Sequence, residues 1–401
     1  MGFTESLRLR GLAMQEAAYK CIGIGFLVYL AATFILDSGQ QRSFFFLFIA
    51  LPALFLLVRS RQLFRTDAFP LVSILLCLGY FSLSAAWGEE ESVAHMLKLS
   101  LYLYCLMLGI EAACKRFSSA YLVGFIALVG GLAMCATMLA VLYSGADLSS
   151  LLTQRHSFAT LSGWGSDNPI NSAIVMGLVV LAAWWVFPGK KWYLQFLLLA
   201  VIVISLMLMV FTKSRGPMLA LGVGLALMTV FRRDCADLLL ALLIAASAAV
   251  LVVSTDILSL FAQRLTEPNY RMEIWLQVWE RFQDNWLFGQ GLGHDARISL
   301  LSGTVFVTHS HSSVFEMFRV GGVIGGGLFL LMVGCLVGRS ITKPAGFFLL
   351  WLIFGLICLS SNGRALLSRP SIEWFAFWMP ILLLYFSTRA DAASQQSEHS
   401  A

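Results

Sequence analysis

The sequence predicts an all-α integral membrane protein with about twelve transmembrane helices, from its composition and from the spacing of its apolar segments. Apolar residues make up 59% of the 401 residues, only 12% are charged, and the mean hydropathy is +0.82. A soluble domain usually has about 25% charged residues and roughly 45–50% apolar ones. This composition disfavours a secreted enzyme, a disordered scaffold and a nucleic-acid-binding protein, and we expect the chain to lie in a bilayer with membrane lipids around it.

Polar residues, glycines and prolines divide the chain into twelve apolar segments, most of them near the roughly 17–25 residues that a spanning helix needs. The segments are approximately 21–37, 43–58, 70–87, 96–113, 121–144, 169–187, 193–211, 216–231, 235–254, 313–338, 344–361 and 371–387. We therefore expect one polytopic transmembrane domain over residues 1–387. The polar sequence of 388–401 predicts a disordered cytoplasmic tail.

The basic residues of the short loops predict the orientation. With the N-terminus inside, every inner loop is short and basic, so we expect both termini in the cytoplasm. One long outer loop, at about 255–312, then joins the ninth span to the tenth. All the outer basic residues except Lys98 and Lys213 are arginines, and most of them lie between 213 and 319. Because arginine binds phosphate and carboxylate through a planar fork, the cluster predicts an anionic ligand at the outer face. Salt bridges within the loop remain the alternative for any single arginine.

The first candidate site is TKSRGPML, residues 212–219, between the seventh and eighth spans. Ser214 is suited to cap the eighth span, and Pro217 fits an early helical position. Arg215 is then expected at a helix N-terminus, where free amides and the helix dipole favour an anion. The alternative is an arginine whose side chain extends to the membrane interface.

The second candidate is RLTEPNYRMEIWLQVWERF, residues 264–282, in the long outer loop. It contains Arg264, and the spacing of Arg271, Trp275 and Trp279 places these three on one face of a helix. The aromatic residues favour the membrane interface, so we expect this helix to cover a cavity that opens towards the lipid. An interfacial anchor without a ligand is the alternative. The following LFGQGLGHD, residues 287–295, lacks a nucleotide-binding motif and predicts a tight turn.

The third candidate is THSHSSVFEMFRVGGVIGG, residues 308–326, at the start of the tenth span. A helix N-terminus disfavours a charged imidazole, so His311 is a candidate general base, and His309 is a second candidate. Glu316 and Arg319 lie one turn further in and are expected to pair with each other. The glycines that follow favour close helix packing.

Metal chemistry is not indicated by the sequence. A divalent cation in a glycosyl transferase needs clustered outer carboxylates, and the densest group, residues 89–91, reads as a solvated turn. We therefore expect neither a metal site nor a cofactor.

Two motifs together resemble the O-antigen ligases. They are R-x3-L, from Arg215 to Leu219, and H-[NSQ]-x9-G-x-x-G, formed by His311-Ser312 with Gly322 and Gly325. The ligases are related to O-antigen polymerases and to protein O-oligosaccharyltransferases. Twelve spans with a long outer loop between the ninth and tenth also match the group.

The resemblance implies a metal-independent glycosyltransferase of the GT-C type in a Gram-negative inner membrane. Its donor is O-antigen linked to undecaprenyl diphosphate, and its acceptor is a sugar of the lipid A–core oligosaccharide at the periplasmic face. It also implies that His311 is the catalytic base and that Arg215 binds the diphosphate, together with a loop arginine that is either Arg264 or Arg271.

Three alternatives remain at this point. An O-antigen polymerase uses the same donor but tends to have two large basic outer loops, whereas the loop at 145–168 here is modest and holds only Arg155. A protein O-oligosaccharyltransferase differs in its acceptor. A transporter of an anionic lipid needs charges through the midplane of the membrane, whereas this chain concentrates them at one face.

Overall fold

The computed structural model describes residues 3–59, 68–89, 91–145, 147–158, 168–232, 237–238, 242, 270–300, 305–341 and 346–388. Within these residues the chain is helical apart from its loops and one short β-hairpin. The all-α fold class predicted from the composition is therefore confirmed.

The described elements are given in chain order. The helices are α1 (Phe3–Ile35), α2 (Ser38–Phe45), α3 (Leu51–Arg59), α4 (Ala68–Ser84), α5 (Val93–Arg116), α6 (Ser119–Tyr143), α7 (Leu148–Thr153), α8 (Pro169–Val186), α9 (Trp192–Thr212), α10 (Arg215–Arg232), α11 (Tyr270–Asp284), α12 (Ser313–Ile341), α13 (Gly346–Ser360) and α14 (Trp374–Thr388). A π-helical turn, Phe46–Ala50, joins α2 to α3, and another, Trp374–Trp378, opens α14. The hairpin pairs β1 (Ile298–Leu300) with β2 (Val305–Val307) in antiparallel register.

The described residues contain seven helices that are long and apolar enough to cross a membrane and three shorter apolar ones. These ten correspond to ten of the twelve predicted spans. The predicted span 216–231 forms α10, which has an arginine at each end and is not among the ten. The predicted span 235–254 lies outside the described residues except for 237–238 and 242, as does the predicted tail beyond Thr388. The total of twelve spans and the orientation stay predictions.

Helix α8 lies at the centre of the packed helices. It contacts α6, α9, α10 and α13, and every residue from Ser172 to Trp184 is buried. A helix that is apolar on all sides is expected in such a position. Helix α12 packs against α4, where Gly321 and Gly325 face the rings of Tyr80 and Phe81. The glycines therefore bring two helices close together, as the sequence predicts.

The described part of the long outer loop folds into α11 and the hairpin, which share a small apolar core. The core consists of Ile274, Val278, Ala296, Ile298 and Leu300. The side-chain amide of Gln277 donates to the carbonyl of Ser299 at 2.7 Å and accepts from its N–H at 3.2 Å. Since this pairing and the apolar core both bind β1 to α11, the two elements form one unit outside the spanning helices.

Helix α12 is interrupted at Gly322, whose φ of 61° and ψ of −162° are not helical. An interruption leaves carbonyls and amides without partners inside the helix. Segment 286–291 supplies these partners. Its Gln290 N–H donates to the carbonyl of Arg319 at 2.9 Å, and its Trp286 carbonyl accepts from the N–H of Val323 at 2.8 Å. The Tyr80 hydroxyl lies within 3.0 Å of the Phe288 carbonyl and 2.8 Å of the Gly321 carbonyl. The interruption therefore attaches the outer loop to α12 and α4.

We predict that Gly322→Ala destabilises the protein. A side chain at this backbone conformation costs about 1–3 kcal/mol, and its β-carbon overlaps the carbonyl of Leu287. The midpoint of thermal unfolding in detergent is therefore expected to fall. Gly327→Ala is the matched control, since a β-carbon at Gly327, which lies in the same helix, meets nothing within 4 Å. Equal midpoints for the two variants would contradict the role given to the interruption.

Candidate active site

His311 lies in the tight loop that precedes α12. The Ser312 hydroxyl accepts from the N–H of Phe315 at 3.3 Å, and its carbonyl accepts from the N–H of Glu316 at 2.9 Å, which caps the helix. The Ser310 hydroxyl donates to the Ser312 carbonyl at 2.7 Å and folds the loop back on itself. His311 has a φ of 52°, in the left-handed region of the backbone that few residues other than glycine adopt. Backbone strain of this kind is common at functional sites.

The buried ion pair between Glu316 and Arg319 holds this loop. Arg319 Nη2 lies 2.6 Å from Glu316 Oε1 and Arg319 Nε lies 3.1 Å from Glu316 Oε2, while Arg319 is only 1% exposed. The carboxylate also accepts the N–H of Ser310 at 3.1 Å. The guanidinium donates to Gln290 Oε1 at 2.7 Å and to the His294 carbonyl at 2.9 Å. The pairing predicted from the one-turn spacing is confirmed, and it connects the loop of His311 to the outer loop.

Trp275 of α11 contacts the same loop from the other side. Its Nε1 donates to the Ser310 carbonyl at 3.2 Å, and its ring centroid lies 5.3 Å from that of Phe315. Both backbone groups of Ser310, the residue before His311, are therefore bonded. Helix α11 lies against the His311 loop, as expected of a helix that covers the site. Trp279, predicted on the same face as Trp275, is instead exposed.

The two histidines lie together, with 4.2 Å between their ring centroids. Burial lowers the pKa of His309 to about 4, and the charges of His311 and Arg364 add to this effect. Burial also lowers the pKa of His311. The positive charges of Arg271 and Arg364 lower this pKa further, whereas the Glu316 carboxylate raises it. Both imidazoles are consequently uncharged at pH 7, and an uncharged imidazole is the form that accepts a proton.

Arg271 lies one helical turn before Trp275 on α11 and is half-buried. Burial lowers the pKa of its guanidinium from the ordinary value, and its charge acts on His311. A guanidinium that is partly shielded from water attracts an anion more strongly than an exposed one, because the local dielectric constant is lower. The charge of Arg271 is therefore close enough to His311 to disfavour protonation of its imidazole. Arg264, the other predicted loop arginine, lies outside the described residues.

Arg215 is the first residue of α10, as predicted. The Ser214 hydroxyl, expected to cap this helix, instead donates back to the carbonyl of Thr212 at 3.3 Å. Arg155 Nε donates to the same carbonyl at 3.3 Å, and the N–H of His156 bonds to the end of α9 at 3.2 Å. Arg155 therefore lies at the turn that leads into Arg215.

Segment 361–371, between α13 and α14, connects Arg215 to the loop of His311. A β-carbon placed on Gly216 would lie 2.8 Å from the Ser361 hydroxyl. At the other side of the segment, Gly363 lies so close to Ser313 that a β-carbon there would overlap the serine hydroxyl. Contacts of α10 and α12 with this one segment therefore join the Arg215 end of α10 to the start of α12.

Sequence reasoning missed Arg364, which belongs to segment 361–371. Neither the two motifs nor the three candidate segments contain it. Its charge acts on both His309 and His311. The available signal was the SNGR sequence of residues 361–364, in which a turn residue precedes an arginine between two apolar segments.

Comparison with known proteins agrees with these features. A family profile described as O-Antigen ligase matches residues 200–330, an interval that contains Arg215, Arg271, His311 and the Glu316–Arg319 pair. An O-antigen ligase of Pseudomonas aeruginosa is 27% identical over 415 aligned residues, which cover 98% of each of the two chains. The resemblance predicted from the two motifs is confirmed: the chain is similar to an O-antigen ligase over nearly its whole length, and the O-antigen ligase profile matches residues 200–330.

Proposed function

We propose that this protein is an O-antigen ligase of a Gram-negative inner membrane. It transfers glycan from undecaprenyl diphosphate to a sugar hydroxyl of the lipid A–core oligosaccharide at the periplasmic face. The observation that carries the proposal is the position of His311, an uncharged imidazole next to the guanidinium charges of Arg271 and Arg364. The family match over residues 200–330 supports the same reaction.

The proposed reaction is a single displacement at the anomeric carbon of the donor sugar. His311 accepts the proton of the acceptor hydroxyl as its oxygen forms the new bond to the anomeric carbon. The bond from that carbon to the phosphate oxygen breaks, and the electron pair leaves with undecaprenyl diphosphate. Attack opposite to the leaving group inverts the anomeric configuration.

The arginines stabilise the diphosphate as it departs. Its negative charge increases in the transition state, so guanidinium groups already in position stabilise the transition state more than the bound donor. We assign this role to Arg215 and Arg271, with Arg264 as a further candidate. The arginines supply enough positive charge for the diphosphate to leave without a metal ion. We therefore propose that the enzyme works without a metal or a cofactor.

Five further residues support the site without contacting the reacting atoms. The bonds of Glu316 and Trp275 to Ser310, and that of Arg319 to Glu316, keep the loop of His311 in one conformation. His309 packs against the imidazole of His311. Arg155, through its bond to Thr212, steadies the turn before Arg215.

The first prediction tests the reaction and its acceptor. Purified protein is given undecaprenyl-diphosphate glycan with one of three acceptors: lipid A–core, a second glycan carrier or a pilin peptide. We expect the label to move to lipid A–core with inverted anomeric configuration, and excess chelator to leave the rate unchanged. Label on the second carrier would indicate a polymerase, label on the peptide a protein oligosaccharyltransferase, and no transfer at all would favour a transporter.

The second prediction concerns the proposed base. His311→Ala should lower kcat by about 10²–10⁴-fold, because general base catalysis contributes roughly this factor. Donor binding should stay within a few-fold of the unmodified protein, since the arginines remain. His95→Ala is a matched control, because His95 lies at the start of α5 and pairs with Glu91 rather than with the site. Normal turnover by the His311→Ala variant would remove the residue as the base.

The third prediction concerns pH. Because the lowered pKa of His311 leaves its imidazole uncharged at pH 7, kcat/KM should be constant near neutrality. It should fall on acidification, with a midpoint below the ordinary histidine value of 6.5. The surrounding charges are Arg271, Arg364 and the Glu316 carboxylate, together with the His309 ring.

Arg271→Gln removes a charge that disfavours the imidazolium, so the midpoint of the residual activity should move to higher pH. Arg281→Gln serves as the control, since Arg281 lies on the same helix but donates to the carbonyl of Arg297 at 2.9 Å. A midpoint that both variants leave in place would argue against Arg271 as a neighbour of the base.

A further inference from the structure

Segment 361–371 is held by hydrogen bonds to the start of α8, to Glu373 and to α14. Asn362 Nδ2 donates to Asn171 Oδ1 at the start of α8, at 3.3 Å. The N–H of Arg364 donates to Glu373 Oε1 at 3.1 Å. Trp378 Nε1 of α14 donates to the carbonyl of Leu366 at 2.9 Å. Since these bonds are distributed along the segment, its backbone conformation does not depend on a bound ligand.

The segment approaches the start of α12 at Gly363. This glycine has a φ of 123° and lies against the hydroxyl of Ser313, where a β-carbon would overlap it. Ser313 is the first residue of α12 and comes two residues after His311. The next residue after Gly363 is Arg364, so the contact of Gly363 with Ser313 places the backbone of Arg364 near the loop that carries both histidines.

The guanidinium of Arg364 differs from the other cations of the site. Arg319 is buried and fully paired, and Arg155 is bonded to Thr212. Arg364 is exposed, and among the residues that the structure describes its side chain has neither an ion pair nor a hydrogen bond. Its charge nevertheless reaches His309 and His311. A cation with a fixed backbone, an unoccupied fork and a neutral base nearby is suited to an anionic ligand.

We propose that Arg364 binds a phosphate group of a lipid-linked saccharide beside His311. The inference rests on the proposed function and extends its binding site to the segment between α13 and α14. Two sources carry this chemistry: the diphosphate of the donor and a phosphate on the lipid A–core acceptor. In either case the arginine positions one reactant next to the base through a two-pronged contact.

The experiment compares Arg364→Gln with Arg369→Gln. Arg369 is an exposed arginine of the same segment and is not among the charges that shift the pKa of either histidine, so it controls for a general loss of positive charge. Binding of undecaprenyl diphosphate, of undecaprenol without phosphate, and of lipid A–core is measured on the full-length protein. All measurements use a His311→Ala background, which prevents turnover.

We expect Arg364→Gln to weaken binding of one phosphorylated ligand by about 10- to 100-fold, which corresponds to the loss of a charge-assisted hydrogen bond. Arg369→Gln should change binding by less than about two-fold, and undecaprenol should bind equally to all variants. Weaker binding of undecaprenyl diphosphate identifies the donor as the source, and weaker binding of lipid A–core identifies the acceptor. Unchanged binding of both phosphorylated ligands, or an equal loss for undecaprenol, would overturn the inference.

Arg364→Lys covers the case in which Arg364→Gln does not fold. A lysine keeps the charge but loses the fork, so we expect binding between that of the unmodified protein and that of a neutral side chain. Full retention of binding by Arg364→Lys would overturn the two-pronged contact. The binding assay does not depend on glycan transfer, so the two claims can fail separately. If the protein transfers no glycan but Arg364→Gln still weakens diphosphate binding, the proposed function is contradicted and this inference is supported.

Discussion

The buried ion pair of Glu316 and Arg319 is the interaction on which the proposed site depends. Two charges taken out of water cost several kcal/mol each, and the cost is recovered only when both are fully bonded. Here the carboxylate binds the guanidinium in two places and also the N–H of Ser310. The guanidinium uses its remaining donors on Gln290 and His294. Movement of the His311 loop away from α12 would therefore leave the buried Glu316 carboxylate without the N–H of Ser310.

The interruption of α12 at Gly322 makes this network possible. A continuous helix satisfies its own amides and carbonyls, whereas an interrupted one exposes them. Non-helical backbone near a membrane is tolerated where it is buried in protein, and segment 286–291 provides that burial by bonding to both halves of the helix. The same insertion brings Gln290 within reach of Arg319. One glycine conformation thus couples the outer loop, α12 and α4, and through them the loop of His311.

The electrostatics of the site combine one neutral base, the imidazole of His311, with several positively charged guanidinium groups. Burial and the nearby cations both lower the pKa of His311 and favour its uncharged imidazole, and the same cations attract a phosphate. An anionic leaving group and an uncharged base therefore require the same surroundings. Burial of the two rings acts in the same direction. This is the physical reason for proposing a transferase rather than a transporter, since transport of an anionic lipid has no need of a neutral imidazole.

The sequence by itself determined the features that depend on neighbouring residues. Hydropathy located ten of the apolar helices because burial in lipid requires an unbroken apolar stretch, and the one-turn spacing predicted the pairing of Glu316 with Arg319. The position of Arg215 at the start of α10 also followed from local signals. Only the tertiary structure decided which distant residues meet: Trp275 with Ser310, segment 286–291 with the interrupted helix, and the segment of Arg364 with the start of α12. Those contacts depend on how the helices pack and on where a glycine allows two backbones to touch, and neither is encoded in the spacing of residues along the chain.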